Sequence, residues 1–302
     1  MIVSKKLLNG VEIIIGENDY IRFEVAPAAG GKIISVYNKQ LCKEFLWTNK
    51  NLTLETHQSG ADYDTHFFGG IDELIPNDIP EIIDSIAYPD HGELWTTTLQ
   101  YKLFDDQILV YGKLKLSGLS YKKTIYLDAN SPTINLEYTI KNETNFNRNF
   151  LWKLHVALAI EEGDQLISSA KKAKVVDPAY SRFKNLNEFN WPEIENVNAS
   201  VVPVMKNNID FFYLYDVENG EMKMLSEKNN QIFNIGYEKK VFPYQWYFAS
   251  YGGFLDHHTA ILEPCTSMPL SVNEAKILGQ SKVLKPNEEI NTIVRIYAGE
   301  KI

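Results

Sequence analysis

Three short segments, far apart in the chain, carry side chains that can transfer protons. They are residues 88–95 (YPDHGELW), 152–158 (WKLHVAL) and 261–266 (ILEPCT). Each segment places a histidine or a carboxylate beside apolar or aromatic residues, which hold a side chain firmly and exclude part of the water. Two imidazoles and one carboxylate in a single cleft are sufficient to move protons on and off a neutral polyol such as a sugar.

The composition and the charge restrict the class of protein. The 302-residue chain is 44% hydrophobic and 12% aromatic, which is enough for a large core. It has 30 Lys and Arg residues against 39 Asp and Glu residues, a net charge of −9, and no basic run interleaved with aromatic residues. We therefore expect no nucleic-acid partner.

The sequence contains no pattern that binds a cofactor or enters a membrane. Its two cysteines, Cys42 and Cys265, form no metal-binding motif, and no glycine-rich phosphate loop is present. No signal peptide opens the chain, and no apolar stretch approaches the roughly 18 residues of a membrane span. We expect a cytoplasmic protein that uses no metal or organic cofactor and has no membrane partner.

Alternation of apolar and polar residues recurs along the chain and predicts β-strands. Helical periodicity is confined to residues 271–278, and no linker or repeat divides the chain. The density of strands predicts an all-β fold, a β-sandwich or barrel, as a single domain over residues 1–302. Residues 177–203 lack alternation and are interpreted as a long loop or lid. The predicted strands are 11–15, 21–25, 32–37, 108–116, 121–127, 133–142, 150–160, 211–215, 221–226, 231–237, 245–250, 259–263 and 289–297.

Several motifs, taken in their order along the chain, point to one family. They are 29–33 (AGGKI), 68–77 (FGGIDELIPN), 89–93 (PDHGE), the strand that contains His155, 262–266 (LEPCT) and 284–289 (LKPNEE). In this order and spacing they resemble the galactose mutarotase-like proteins, which include the aldose 1-epimerases and the hexose-6-phosphate mutarotases. The resemblance implies a large antiparallel β-sandwich with a sugar-binding groove on one face.

The resemblance also implies roles for three side chains, each with a structural alternative. Glu263 matches the general base that takes the proton from the anomeric hydroxyl; the alternative is a solvated carboxylate at a strand end. His155 matches the general acid that protonates the ring oxygen, and the alternative is a core histidine bound to the backbone. His91 matches a residue that orients the sugar, whereas the alternative is a histidine that structures its own turn.

Other side chains are weaker candidates for sugar binding. Trp95 can offer an apolar face to the sugar ring or belong to the core. Asp210 falls near the family's hydroxyl-binding aspartate, although a strand-start aspartate is the alternative. Asp72, with Glu73, follows the Gly69-Gly70 pair and is expected to reach the groove. The remaining histidines are interpreted as lying outside the site: His57, His66, His257 and His258.

Two departures from the family pattern bear on the substrate. Hexose-phosphate mutarotases carry an arginine shortly after the P-x-H-G segment, resembling a phosphate clamp, but this chain has residues 93–95 (ELW) there. No arginine occurs between Arg22 and Arg148, so the early sugar-binding arginine of many mutarotases has no counterpart. Lys32 or Lys153 are alternative donors, although lysine does not reproduce a bidentate arginine.

The sequence predicts an aldose 1-epimerase-like isomerase, monomeric or homodimeric, that acts on a free, non-phosphorylated sugar. The missing arginine favours an alternative, a non-catalytic carbohydrate-binding protein on the same fold. A lyase or glycoside hydrolase ranks last, because glycosidases need two carboxylates flanking the scissile bond and only Glu263 is well placed.

Overall fold

The computed structural model describes residues 1–301, which form antiparallel β-strands with little helix. One α-helix, α1 (Val272–Ile277), and four single-turn 3₁₀ segments are present among these residues. The strands are β1 Ile2–Leu8, β2 Val11–Glu17, β3 Ile21–Ala26, β4 Lys32–Asn38, β5 Lys43–Glu44, β6 Ile71–Leu74, β7 Glu81–Ile83, β8 Ile86–Tyr88, β9 Gln100–Leu103, β10 Gln107–Lys113, β11 Leu119–Leu127, β12 Thr133–Asn142, β13 Arg148–Phe150, β14 Lys153–Leu158, β15 Gln165–Val175, β16 Phe189–Asn190, β17 Glu193–Ile194, β18 Val197–Asn198, β19 Asn208–Ser226, β20 Gln231–Tyr237, β21 Tyr244–Tyr251, β22 His258–Cys265, β23 Lys282–Leu284 and β24 Glu289–Glu300.

Eighteen strands join in one hydrogen-bonded network that has two sections. The β11 section runs in the order β9-β10-β11-β12-β24-β20-β19, and the β22 section runs in the order β19-β21-β22-β14-β6-β4-β3-β2-β1. Strand β19 belongs to both, because residues 208–214 pair with β21 and residues 221–226 pair with β20. The sections face each other across the main core, which makes the fold the large antiparallel β-sandwich predicted from the sequence.

Strands that are half-buried were the easiest to predict, because one face meets the core and the other meets solvent. Strands β12 and β20 begin and end at the predicted residues, and buried residues recur at every second position along much of both. The helix α1 lies within the predicted segment 271–278, with Ser271 as its N-cap. The period-two pattern therefore predicted most of the two sections correctly.

Three regions differ from the prediction for identifiable reasons. Residues 150–160 are not one strand, since Leu151 leaves the ladder and donates its backbone N–H to the Pro76 carbonyl. Strand β15 was missed because a bulge between Ser168 and Ala170 breaks its alternation. Strand β1 was missed because it is an exposed edge strand with no buried residue.

Most of residues 177–203 packs against the sheet. The segment contains the two-residue strands β16, β17 and β18, and the side chains of Phe183, Phe189 and Ile194 are buried in the main core. Only its beginning, at Asp177 and Tyr180, reaches the cavity described below. Residues 177–203 therefore do not form a lid over their whole length.

The described residues include no helix long and apolar enough to cross a membrane.

Candidate functional site

One row of side chains crosses four neighbouring strands of the β22 section. Asp72 on β6 is directly opposite His155 on β14. Strands β14 and β22 keep one register on both sides of His155, which places it opposite Glu263. Glu263 in turn pairs with Trp246 on β21. Directly opposed residues have Cβ atoms about 4.5–5.5 Å apart, so His155 and Glu263 are immediate neighbours on one face.

A cavity of about 280 Å³ opens over this row. Its polar side chains include Glu263, His155, Lys153, His91 and Asp78. The volume is close to the lower end of the roughly 300–1,000 Å³ that small-molecule sites occupy, and mostly apolar walls with a few polar groups are typical of them. The aromatic walls come from Tyr63, Phe67, Tyr180, Phe211, Phe248 and Phe254.

The floor of the cavity holds one ammonium between two carboxylates. Lys153 Nζ lies 2.5 Å from Asp78 Oδ1 and 2.6 Å from Glu263 Oε2. It also lies 4.5 Å from the ring centroid of Trp246. The side chains of Lys153, Asp78 and Glu263 are 3%, 6% and 1% exposed, so this charged group is almost entirely removed from solvent.

Burial makes Glu263 a stronger base than an ordinary solvated carboxylate. Burial raises the pKa of Glu263 above its ordinary value, and the charge of Lys153 opposes that rise without cancelling it. Burial lowers the pKa of Lys153, but Asp78 and Glu263 outweigh burial and leave that pKa raised. Lys153 is therefore a permanent positive charge in the cavity floor.

His91 is held against the cavity wall, where nearby carboxylates favour its protonated form. It has a left-handed backbone (φ 56°), and its ring stacks on Tyr63 with centroids 4.0 Å apart. Its Nδ1 lies 3.0 Å from Asp90 Oδ2, and its backbone N–H donates to the Asp78 carbonyl. Burial lowers the pKa of His91, but the contact with Asp90 and the charge of Asp78 outweigh burial and raise it overall.

A chain of hydrogen bonds behind the wall sets the tautomer of His155. Tyr63 Oη lies 3.0 Å from Asp72 Oδ2 and 3.3 Å from His155 Nδ1, while Lys32 Nζ lies 3.0 Å from the same Asp72 oxygen. The single phenol proton goes to the closer, charged carboxylate, so the Tyr63 oxygen accepts a proton from His155 Nδ1–H. This arrangement leaves Nε2 of the neutral ring without a proton.

The general-acid role predicted for His155 needs a protonated ring, and the surroundings of His155 oppose its protonation. Burial lowers the pKa of His155 well below its ordinary value, and the charges of Lys153, His91 and Lys32 lower it further. His155 is therefore a neutral imidazole at neutral pH. This could not be predicted from the sequence, because the burial of the ring and the approach of Lys32 arise only in the folded chain.

A third histidine, His257, also lines the cavity, whereas the sequence indicated a polar turn. The amide of Asn49 is oriented by its Oδ1, which accepts the backbone N–H of Asn51. Asn49 Nδ2 therefore donates to His257 Nε2 at 3.2 Å, which places the ring proton on Nδ1. Burial lowers the pKa of His257, so the ring is neutral and its Nδ1–H is a donor.

Three predicted sugar-binding residues do not line the cavity. Trp95 packs edge-on against Tyr63, with centroids 5.1 Å apart, and supports the wall from behind. Asp72 holds Tyr63 and Lys32 in the layer behind His155. Asp210 was expected to bind a sugar hydroxyl, but its neighbour Phe211 faces the cavity and alternation turns Asp210 to the opposite face.

Ion pairs in the interior account for the other candidate carboxylates. Asp210 is fully buried and receives two hydrogen bonds from Arg182, at 2.9 and 3.0 Å. Glu73 is expected in the groove from the sequence, but it pairs with Lys123 in the core, where both side chains are 0% exposed. Neither carboxylate has a free oxygen in the cavity.

A second carboxylate in the cavity floor, Asp78, was not predicted from the sequence. Asp78 directly follows the quoted motif 68–77, and Asn77 fixes this turn by donating from Nδ2 to the carbonyls of Ile79 and Pro89. The position of Asp78, one residue beyond the motif, was the available signal. Asp78 therefore stands beside Glu263 as a second carboxylate in the cavity, paired with Lys153.

Among residues 1–301, no three His, Cys, Asp or Glu side chains are arranged to hold a metal ion.

Comparisons with known proteins relate the chain to solved structures only. No protein-family model matches it, and no curated protein matches it. A galactose mutarotase-like protein from Clostridium acetobutylicum is 15% identical, with a TM-score of 0.73 over 99% of each chain. A candidate aldose 1-epimerase from Klebsiella pneumoniae is 13% identical, with a TM-score of 0.75 over 99% of this chain and 84% of that one.

A candidate aldose 1-epimerase from Escherichia coli is likewise 13% identical, with a TM-score of 0.73 over 95% of this chain and 99% of that one. These similarities extend over nearly the whole chain at low sequence identity. The protein therefore has the galactose mutarotase-like fold.

Proposed function

We propose that this protein is an aldose 1-epimerase-like isomerase that interconverts the anomers of a free, non-phosphorylated sugar. The observation that carries the proposal is the arrangement of Glu263, His91 and His155 around one aromatic-walled cavity. Solved structures with the same fold are described as mutarotase-like proteins and as candidate aldose 1-epimerases, which supports this class of reaction.

The reaction needs one base and one acid. Glu263 takes the proton of the C1 hydroxyl while the C1–O5 bond breaks and O5 takes a proton from a histidine. The open-chain aldehyde then rotates about C1–C2. Reclosure returns the proton from O5 to the histidine and the proton from Glu263 to the new C1 hydroxyl, so the cycle consumes nothing.

The family resemblance favours His155 as the acid. We assign the acid to His91 instead. The pKa of His91 is raised, which favours the protonated ring that an acid needs, whereas the pKa of His155 is lowered well below its ordinary value. His155 holds Nδ1–H toward Tyr63 and offers Nε2 as an acceptor for a sugar hydroxyl. The aromatic walls supply apolar faces for the sugar ring.

The proposed substrate is uncharged. The cavity floor already holds two carboxylates against one ammonium, and no arginine of residues 1–301 lines the cavity. Glu93, at the position of the phosphate clamp, accepts the backbone N–H groups of Leu116 and Ser117 at 2.7 and 2.9 Å. The cations of the cavity, Lys153 and His91, already contact carboxylates, so a phosphate dianion would meet repulsion without a free partner.

The test is anomer exchange, measured by saturation-transfer NMR on a panel of free aldoses. The wild-type protein should accelerate at least one of them over buffer, and Glu263→Gln should lose roughly 10²-fold or more of that rate. Glu218→Gln, which changes an exposed glutamate on β19, is the matched control. A folded wild-type protein that accelerates no aldose would rule out the isomerase.

One observation favours a second candidate, a non-catalytic carbohydrate-binding protein. Glu263 is paired with Lys153, and among the described residues no arginine lines the cavity to replace that partner. Calorimetric binding of a sugar without anomer exchange, and with the same affinity in Glu263→Gln, would select this candidate. The cytoplasmic location and the monomeric or homodimeric state stay predictions from the sequence.

A further inference from the structure

The Lys153 ammonium is too well partnered to act as the sugar-binding donor that replaces the missing arginine. It contacts Asp78 at 2.5 Å and Glu263 at 2.6 Å, and the Trp246 ring covers it at 4.5 Å. The ammonium therefore lies within ion-pair distance of two carboxylates at once. A sugar hydroxyl would have to displace a buried charge-assisted contact, which is unfavourable.

The contacts of Lys153 indicate instead that it stabilises the ionised form of Glu263. A carboxylate that is 1% exposed is costly to ionise unless an opposite charge is close to it. Lys153 Nζ supplies that charge, and it is the cation in direct contact with Glu263. Asp78 contacts the ammonium from another direction and so fixes where it sits.

Asp78 is itself rigidly placed, and it is tied to His91. Its carbonyl accepts the His91 backbone N–H at 2.7 Å, and the preceding Asn77 side chain anchors the same turn to Pro89. The loops that carry Asp78 and His91 are therefore bound to each other. Through Lys153, this connection extends to Glu263 on β22.

We propose that Lys153 and Asp78 are a pair of positioning residues, in which Lys153 keeps the Glu263 carboxylate charged and aimed, and Asp78 holds Lys153 in place while limiting its effect. The inference rests on the proposed function for its meaning in catalysis. It concerns the charge of Glu263, however, and can be tested without turnover.

The two partners act on Glu263 with opposite sign. Lys153 lowers the pKa of Glu263 against the dominant effect of burial, while the negative charge of Asp78 raises that pKa and His91 lowers it. Removing the ammonium should therefore raise the Glu263 pKa. Removing the charge of Asp78 should lower it, because the carboxylate then has the ammonium to itself. The other titratable side chains that line the cavity are His155, His257, Asp64, Asp177, Tyr63 and Tyr180.

The experiment is a carboxyl ¹³C NMR titration of the whole protein labelled at glutamate, with the Glu263 signal identified by its loss in Glu263→Gln. Lys153→Met should move the Glu263 titration to higher pH by about 1–3 units, and Asp78→Asn should move it to lower pH. Lys153→Arg keeps the positive charge and should therefore leave the Glu263 titration close to its wild-type pH. If Lys153→Met does not fold, Asp78→Asn and Lys153→Arg still test the sign.

Lys113→Met is the matched control, because this lysine on β10 is 59% exposed and pairs with Glu143 far from the cavity. It should leave the titration unchanged. Shifts in the same direction for Lys153→Met and Asp78→Asn, or no shift in either, would overturn the inference.

Activity separates this inference from the proposed function. If the protein is an isomerase, the acidic limb of its pH–rate profile should follow the NMR shifts in each variant. If the NMR shifts have opposite signs and no aldose is turned over, the proposed function fails while the role of the pair in charging Glu263 stands.

Discussion

His91 and His155 face the same cavity, yet their neighbours give them different charges. The contact with Asp90 raises the pKa of His91, whereas burial and the nearby charge of Lys153 lower the pKa of His155. Both histidines could be predicted as candidate site residues from the sequence, because residues 88–95 and 152–158 are recognisable motifs. It could not assign their charges, since those depend on residues that only folding brings close.

The proposed division of labour predicts a bell-shaped pH–rate profile. Glu263 must be ionised and its pKa is raised, so the rate should rise with pH through a value above the ordinary glutamate pKa. His91 must be protonated and its pKa is raised, so the rate should fall only above the ordinary histidine pKa of about 6.5.

Substitution of each histidine in turn distinguishes the acid from the hydroxyl-binding residue. His91→Gln should remove the basic limb together with most of the rate, while His155→Gln should lower the rate and keep that limb. Measurement of anomer exchange between pH 4 and 9 checks this. A basic limb that survives in His91→Gln and disappears in His155→Gln would return the acid role to His155.

His257 predicts a contribution to binding rather than to chemistry. Its neutral ring carries the proton on Nδ1, and replacement by phenylalanine keeps the packing on Trp47 while removing that donor. His257→Phe should raise KM about fivefold, from roughly 1 kcal/mol of lost hydrogen bonding, with kcat little changed. His258→Phe, at the neighbouring position, is the control. An unchanged KM in His257→Phe would contradict the assigned donor.

At the scale of strands, the site depends on register. Because β6, β14, β22 and β21 keep one alignment, Asp72, His155, Glu263 and Trp246 form a single row. A slip of one residue in β22 would turn Glu263 into the core. The buried ion pair between Lys123 on β11 and Glu73 on β6 holds the β11 section against the β22 section beside this row.

This ion pair gives a prediction for stability. Lys123 Nζ donates to both Glu73 oxygens and to the Gly31 carbonyl at 2.7–2.9 Å, all without contact with solvent. Lys123→Met leaves a buried carboxylate unpaired and should lower the free energy of unfolding by about 3–5 kcal/mol. Lys113→Met, at an exposed pair, should cost about 1 kcal/mol or less. Urea denaturation of both variants measures this, and equal losses would contradict it.

The strands differed in how accurately their bounds could be predicted from the sequence. Strands β12 and β20 were predicted to the residue because one face of each is buried and the other is not. Strand β14 is buried on both faces, so its apolar run did not show where it begins. Asp78, Tyr63 and His257 were missed as cavity residues because they come from loops or strand ends that carry no periodic signal.

At the scale of the whole molecule, the charge of the cavity predicts which sugars are accepted. Net charge on the chain is −9, and the cavity floor carries two carboxylates for one ammonium. A free hexose should therefore undergo anomer exchange, while the same hexose with a 6-phosphate should exchange at least tenfold more slowly per unit of protein. Parallel saturation-transfer measurements at one ionic strength check this. Equal rates for both sugars would show that a phosphate partner exists in the cavity.

Strand β19 contributes Phe211 to the cavity wall and, ten residues later, the ladder with β20 in the opposite layer. Neither the β11 section nor the β22 section can therefore unfold while the other keeps all of its backbone hydrogen bonds. The chain should lose its structure in one cooperative step, with fluorescence and circular dichroism following the same urea curve. A ligand held against Phe211 should then slow amide exchange as far away as Met222, on the far half of the same strand.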